Sequence, residues 1–327
     1  MNRRKVFPLL GSLALAWPTV LRAQQPPDRR QAAQVAYLGT GLVGWRVDAL
    51  RAGLRSEGFE EGRNLVLHVR TTADRYDLLR AAAEDVVRLG VDVIAARGDT
   101  AARAARAATS TIPIVVIGSS NPVAAGWAVS LARPGGNVTG VLNYGNELFP
   151  KRLELLAEAV PGVTDVGVMY SSGSVSQVAS IRIAQEAAVR MGLRLVIREV
   201  NRAEDIEPAL DAIASVGARA IAPAQSTLLA NHVEQIAEGA RRHALAGIFS
   251  DRSYVDAGGM MSYGGQLGIL QHRAGEYAGR ILKGATPADL PIAQVERLQF
   301  VINLRTARAL GLAIPAGLIS RADDVIE

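Results

Sequence analysis

The 327-residue chain contains no cysteine and four histidines, and each scarcity closes off a class of function. Without cysteine there are no disulfides and no lipidated thiol to tether an exported protein, so a free, soluble molecule is expected. The histidines, His68, His232, His243 and His272, show no H-E-x-x-H or similar helical pairing, so no metal site is expected. No G-x-S-x-G turn supplies the nucleophile of an α/β hydrolase, and no G-x-x-x-x-G-K-S/T supplies a phosphate loop. Carboxylate pairs such as Glu60-Glu61 and Asp323-Asp324 fall in turn or terminal segments, where solvation is their ordinary role. No catalytic set assembles, and neither a catalytic residue nor a cofactor is expected. A basic run with interleaved aromatics, as nucleic-acid binding asks for, is also missing.

What is present begins with a leader. Asn2-Arg3-Arg4-Lys5 is basic, Val6 to Val20 is mostly apolar, and Leu21-Arg22-Ala23 ends on a small residue before Gln24-Gln25-Pro26-Pro27. This three-part layout predicts an export signal over residues 1–23, and Arg3-Arg4 suits the twin-arginine route as well as the general one. The apolar stretch is shorter than the roughly 20 residues of a spanning helix, and Pro8 and Pro18 would break it. Cleavage after Ala23 removes four bases and no acid, which takes the formal charge from +5 to +1. The basic balance therefore belongs largely to the leader, and a periplasmic location is expected.

Beyond the leader, short Val/Ile/Leu runs alternate with helical periodicity, as βαβ units do. Strands are expected at Gln34–Leu38, Leu65–Val69, Val91–Ala95, Ile114–Ile117 and Val138–Leu142. Helices are expected between them near Arg46–Glu57, Arg75–Leu89, Thr100–Ala108 and Val123–Leu131. The pattern then restarts with strands at Asp165–Met169, Arg194–Val200, Ala218–Ala222, Ala246–Phe249 and Gly259–Ser262, spaced by helices near Val175–Met191, Ala203–Val216 and Thr227–His243. A helix at Gln266–Leu282, a linker to Pro291, a strand at Gln299–Asn303 and a short helix at Arg305–Leu310 close the chain. Two α/β lobes of similar build, with a crossing near Asn143–Pro150, suggest a cleft.

Gly39, Gly41 and Gly44 reproduce the G-x-G-x-x-G spacing of a dinucleotide loop. That reading asks for an acid at the end of the second strand, where Arg70-Thr71-Thr72 stands instead, so it is disfavoured. Ligands of open parallel sheets sit outside the carboxyl ends of the strands. Asp99 or Thr100 is expected to cap the helix after the third strand, leaving N–H groups for a carboxylate or serving only as an N-cap. One helix end contributes at most about 2 kcal/mol, whereas micromolar affinity needs about 8 kcal/mol, so a second lobe must close over the ligand. Tyr170-Ser171-Ser172, Gln225-Ser226 and Asp251 follow second-lobe strands and offer that second wall. Asp251 either pairs with a ligand amine or caps the next helix.

Several short pieces occur together: Gly58-Phe59-Glu60-Glu61-Gly62-Arg63-Asn64, Thr111-Ile112-Pro113-Ile114, Arg133-Pro134-Gly135-Gly136-Asn137-Val138-Thr139-Gly140, Lys151-Arg152-Leu153-Glu154-Leu155-Leu156, Gly258-Gly259-Met260-Met261-Ser262-Tyr263-Gly264, Gly279-Arg280-Ile281-Leu282-Lys283-Gly284 and Arg321-Ala322-Asp323-Asp324-Val325-Ile326-Glu327. In these the chain resembles the ABC transporter substrate-binding proteins of the TrpX-like family. The resemblance implies an α/β fold of two doubly wound parallel-sheet lobes joined by a hinge, the type I periplasmic-binding fold. Residues 33–145 with 265–292 would form one lobe, and 146–264 with 293–327 the other.

The resemblance further implies ligand contacts at Thr40, at Gly98-Asp99-Thr100, at Ser119-Ser120-Asn121 and at Tyr263. Where family members often show Gly-Asp-Pro, this chain has Ser120-Asn121-Pro122, which removes a carboxylate. The implied function is a monomeric, exported solute-binding protein that closes around a small polar ligand, such as an amino acid or related carboxylate, for an ABC permease of the inner membrane. An extracytoplasmic ligand sensor partnering a receptor, or a secreted enzyme, remains open at this point.

Overall fold

A computed structural model describes residues 32–327 apart from 42–43, 120–121, 144, 146, 174 and 295–296. The expected leader lies outside the described residues. The chain opens with β1 (Ala33–Gly39), α1 (Gly44–Ser56), β2 (Leu65–Thr71), α2 (Leu79–Arg88), β3 (Val93–Arg97), α3 (Gly98–Ala108), β4 (Ile114–Ser119) and β5 (Val138–Leu142). It continues with α4 (Phe149–Ala159), β6 (Asp165–Tyr170), α5 (Val175–Arg190), β7 (Arg194–Glu199), α6 (Ile206–Ala214), β8 (Ala220–Ile221), α7 (Val233–Arg242), β9 (Ala246–Phe249), α8 (Arg252–Asp256) and β10 (Met261–Gly265). The last part holds α9 (Leu267–Leu282), β11 (Ala293–Gln294), β12 (Leu298–Asn303), α10 (Leu304–Ala309), α11 (Ala316–Ile319) and β13 (Asp324–Ile326).

The strands form two sheets. The first runs β11-β5-β4-β3-β1-β2, and every pairing in it is parallel. The second runs β13-β12-β10-β9-β8-β6-β7, parallel except where β12 lies antiparallel to β10. The chain passes from one sheet to the other after β5, after β10 and after β11, so each lobe is completed by a late segment. Ala293–Gln294 pairs with Val141–Leu142 of the first sheet, which carries that lobe past residue 292.

Strand sequences buried on both faces read as unbroken apolar runs, and their side chains alternate between two helical layers. In the first sheet Val35, Tyr37, Ala95, Val115 and Ile117 pack under α1 and α9. Their neighbours Ala36, Leu38, Ile94, Ala96, Ile114 and Val116 pack under α2 and α3. The second sheet repeats the scheme: Val166, Val168 and Ile248 face α4 and α5, while Met169, Ile221 and Phe249 face α6 and α7. Glycine permits the tight crossing of α1 on α9: a Cβ on Gly53 would lie 1.9 Å from the His272 carbonyl oxygen, and one on Gly275 would lie 2.2 Å from that of Leu50.

Two helical expectations change. Residues 123–131 form successive turns instead of a helix, because Gly126 adopts φ 70° and the Trp127 amide turns back to the Pro122 carbonyl. Trp127 still buries its ring against the α2 and α3 layer. The helix expected from Thr227 starts at Val233, after a single 3-10 turn at Leu229–Asn231. That delay leaves residues 222–232 as an irregular loop aimed at the first lobe.

Candidate ligand-binding cleft

The carboxyl ends of both sheets meet, and the loops that follow their strands bond across the gap. After β2, Ala73 and Asp74 take φ 45° and 66°, a left-handed conformation that costs non-glycine residues about 1–3 kcal/mol each. The turn delivers the Asp74 carboxylate to the opposite lobe, where it accepts from Asn231 Nδ2 at 2.6 Å and meets His232 Nε2 at 2.9 Å. Burial pushes the Asp74 carboxyl up, but the hydrogen bonds from His232 and Asn231, with the charges of His232 and Arg97, hold the group below its ordinary value.

Asn231 also donates to the Thr40 carbonyl at 3.3 Å, and its side-chain oxygen accepts from Arg97 at 3.4 Å. Arg46 donates to the Ala230 carbonyl, the Leu228 amide donates to Tyr76 OH at 3.2 Å, and Thr100 Oγ1 donates to the Gly173 carbonyl at 3.4 Å. Gly41 has a specific reason to be glycine here. A Cβ on it would lie 1.8 Å from Asn231 Nδ2, and its φ is +72°. The close approach permitted by the glycine-spaced loop is thus to the second lobe, in the place a pyrophosphate would need. The third glycine of that pattern, Gly44, has nothing within 4 Å of its missing Cβ, so it does not serve close strand-to-helix packing.

Inside this rim the charge is one-sided. The buried charged residues, among those described, are Arg46, Arg97, Arg152 and Asp251. Arg46 stands in the first turn of α1, Arg97 ends β3, and Arg152 belongs to the first turn of α4. Arg152 is fully buried and donates to the carbonyls of Gly145 and Tyr263, which tether it to the chain crossings after β5 and β10. Burial is the main cause that brings Arg46 and Arg152 down to about 10 each, and for Arg46 the neighbouring Arg97 adds to it. Both remain cations at neutral pH.

Tyr254, stacked on Phe249 with ring centroids 4.7 Å apart, lies within the field of all three arginines and of Asp251. Burial and Asp251 raise its hydroxyl, while the arginines oppose the rise. Burial likewise raises the Tyr37 hydroxyl, against the pull of Arg97 and Arg46. Several buried polar atoms in this region have no hydrogen-bond partner among the described residues: Tyr37 OH, Thr40 Oγ1, both side-chain atoms of Asn143, Gln225 Oε1 and Arg152 Nε. Such groups cost free energy when unsatisfied. A groove of about 530 Å³ on the flank is lined from both lobes, by Trp45, Ile269, Asp251, Arg252 and Gln299.

The residues expected from sequence fall into three groups. Thr40, Gly98, Thr100 and Gln225 sit where the lobes meet. Thr40 is 2 % exposed, a Cβ on Gly98 would reach Thr227 Oγ1 at 2.7 Å, and Gln225 Oε1 occupies the space beside Gly145. Tyr263 belongs here through its carbonyl, which accepts from Arg152, while its ring packs edge-on against Phe300.

The second group bonds largely within its own lobe, although Ser171 also meets the Tyr76 hydroxyl of the first lobe and Asp251 lines the flank groove beside Trp45. Ser171 is bound to Gln177 and Asn201, and half-buried Tyr170 packs against the core of the second sheet. Asp251 caps α8, accepting from the Ser253 amide at 2.9 Å and from its hydroxyl at 2.5 Å. Asp99 and Thr100 do not cap α3: Arg97 holds the N-cap position and makes no side-chain cap bond. In the third group, Asn121 lies outside the described residues, and of Ser119 only the backbone, at the end of β4, is described.

Sequence reasoning missed Arg46, Arg97, Arg152, Asp74, Asn231 and His232. A signal existed for the arginines. Arg46 and Arg152 occupy first helical turns, where the helix dipole favours acids, and Arg97 directly follows the fully buried run Val93–Ala96.

Comparison with known proteins places the architecture. A family model described as ABC transporter substrate binding protein matches residues 43–326. A tyrosine-binding protein of Clostridioides difficile is 25% identical over 259 residues, covering 79% of this chain and 74% of that one. A conserved domain protein from Vibrio cholerae is 28% identical, covers 90% of this chain and 99% of its own, and superposes with a TM-score of 0.81. An ABC domain from Streptococcus pneumonia in complex with L-Trp is 23% identical, with 90% and 100% of the two chains covered and a TM-score of 0.80.

Proposed function

Because this chain belongs to the ABC transporter substrate-binding protein family, we propose that it is an exported solute receptor that closes its two lobes around a small polar ligand and hands it to an ABC permease of the inner membrane. The ligand is an amino acid or a related carboxylate. The protein works in the periplasm as a monomer and carries out no turnover. The supporting observation is the cluster of Arg46, Arg97 and Arg152, buried where the carboxyl ends of the two sheets converge.

Burying a guanidinium group is unfavourable unless it is paired and hydrogen-bonded. A bound carboxylate offsets that cost, and it does so only when both lobes contribute. Each hydrogen bond to a charged group contributes roughly 1.5–3 kcal/mol, so a few convergent donors account for micromolar binding, about 8 kcal/mol. Closure is then a population shift, driven by contacts that only the closed form makes.

The test is native mass spectrometry of the purified protein, followed by thermal-shift titration with amino acids, L-tyrosine and L-tryptophan included, and with their carboxylate relatives. A ligand that binds the native state raises the apparent melting temperature. Scattering should record a smaller radius of gyration for the liganded protein than for the ligand-free one. A protein that responds to none of these compounds and co-purifies with nothing would refute the reading.

A further inference from the structure

We infer that Gln177 is a positioning residue for the cleft: from the first turn of α5 its side-chain amide clamps the loops after β6 and β8 at the spacing that seats Tyr76 of the first lobe between them. This rests on the cleft-binding function proposed above. Gln177 is 1 % exposed, and both ends of its amide are spent on main chain. Its Oε1 accepts from the Ser171 amide at 2.5 Å, and its Nε2 donates to the Gln225 carbonyl at 3.0 Å.

Strands β6 and β8 are neighbours in the second sheet. Their main-chain bonding runs on to the Ala222 amide with the Gly167 carbonyl and the Ala224 amide with the Met169 carbonyl. Beyond those residues the strands give way to loops, and the Gln177 amide supplies the next rung in place of a peptide group. A side-chain carboxamide can do this because it carries both a donor and an acceptor, as a peptide does. An apolar side chain of similar volume would leave the Ser171 amide and the Gln225 carbonyl without these partners, and buried main-chain groups are costly to leave unpaired.

The two clamped loops are the ones that receive Tyr76, which stands in the 3-10 turn Tyr76–Leu78 of the first lobe. On one side a Cβ on Gly173 would lie 3.1 Å from Tyr76 Cδ2, so the β6 loop approaches the ring closely. On the other the Leu228 amide donates to the Tyr76 hydroxyl at 3.2 Å, and Ser171 meets the same hydroxyl. The ring also packs against apolar residues of both lobes. Clamp and socket share their loops, so a change in the spacing set by Gln177 reaches Tyr76 through the main chain.

The experiment is a double-mutant cycle read by titration calorimetry with L-tyrosine and L-tryptophan, and with any compound that co-purifies, beside the unliganded melting curve of each variant. Gln177→Leu should weaken binding at least about tenfold and Tyr76→Phe about fivefold. In the double variant the second change should add no more than about twofold, because a displaced socket no longer presents Leu228 to the hydroxyl. A glutamine that served only the stability of the second lobe would lower the melting temperature and let the two affinity losses multiply to about fiftyfold. That result would overturn the inference and leave the solute-receptor function standing, as would unchanged affinity in either single variant. Tyr76→Phe keeps the ring and removes one hydroxyl, so it decides the role of the socket even where Gln177→Leu does not fold. A wild-type protein that binds neither amino acid and carries no co-purified compound would remove inference and function together.

Discussion

The rim and the interior of the cleft use charge in opposite ways. At the rim, Asp74 of the first lobe is met by Asn231 and His232 of the second, so the contact is complete within the protein. Further in, Arg97 and Arg152 are buried, and among the described residues their hydrogen bonds run to the neutral oxygens of Asn231, Gly145 and Tyr263. The contrast separates two tasks. The rim supplies cross-lobe bonds, while the interior, on the function proposed above, is where a ligand's charge would be received. A receptor with a self-satisfied interior would stay shut when empty, and one with an unsatisfied rim would not stay shut when full.

The comparison can be broken most severely at Arg152. Arg152→Met removes a cation and leaves the Gly145 and Tyr263 carbonyls without their donor, so ligand affinity should fall by about 2–5 kcal/mol, with a lower melting temperature for the unliganded protein. Calorimetry beside a thermal melt checks this, and unchanged affinity would detach the arginine cluster from binding. Next in size is Gly41→Ala at the rim, where left-handed backbone costs about 1–2 kcal/mol and the new methyl collides with Asn231. Affinity should drop by about tenfold and the contraction seen by small-angle scattering should shrink, and the backbone strain should lower the unliganded melt modestly as well.

The smallest effect sharpens the contrast through pH. The Asp74 carboxyl is held below its ordinary 3.8 in the closed structure. Its contribution to closure is therefore fully present above that ordinary value and is lost as pH falls through the lowered one. Wild-type affinity should weaken on acidification through this window. Asp74→Asn should bind a few-fold more weakly at neutral pH and lose this part of the pH dependence.

Much of the first sheet was legible from sequence because parallel strands buried on both faces must be apolar at every position, as Ile114 to Ile117 are. The edge strands β11 and β13 were not legible. Two or three residues such as Ala293-Gln294 carry no period, and only the neighbouring strand makes them β. Val123 to Leu131 read as helix on composition, yet Pro122 and Gly126 govern its backbone. Thr40 and Gly98, implied by the family resemblance, and Gln225, expected because ligands sit after strands, all stand where the lobes meet. Asp74 and His232 could not, since no local pattern links residues separated by 158 positions. The arginines were visible, but a basic residue in a first helical turn announces itself as misplaced without saying what it awaits.

The close crossing of α1 on α9 bears on how the molecule is made. Helix α1 lies near the start of the chain, and α9 comes only after five strands of the second sheet, β6 through β10, and their helices. Gly53 and Gly275 hold the two helices almost backbone to backbone, so the part of this face that α9 covers, over β3, β4 and β5, stays uncovered until residue 282 has emerged. During synthesis the earlier half of the polypeptide must therefore wait for the later half, and a truncation before Leu267 would yield an aggregation-prone fragment in place of a free-standing amino-terminal lobe.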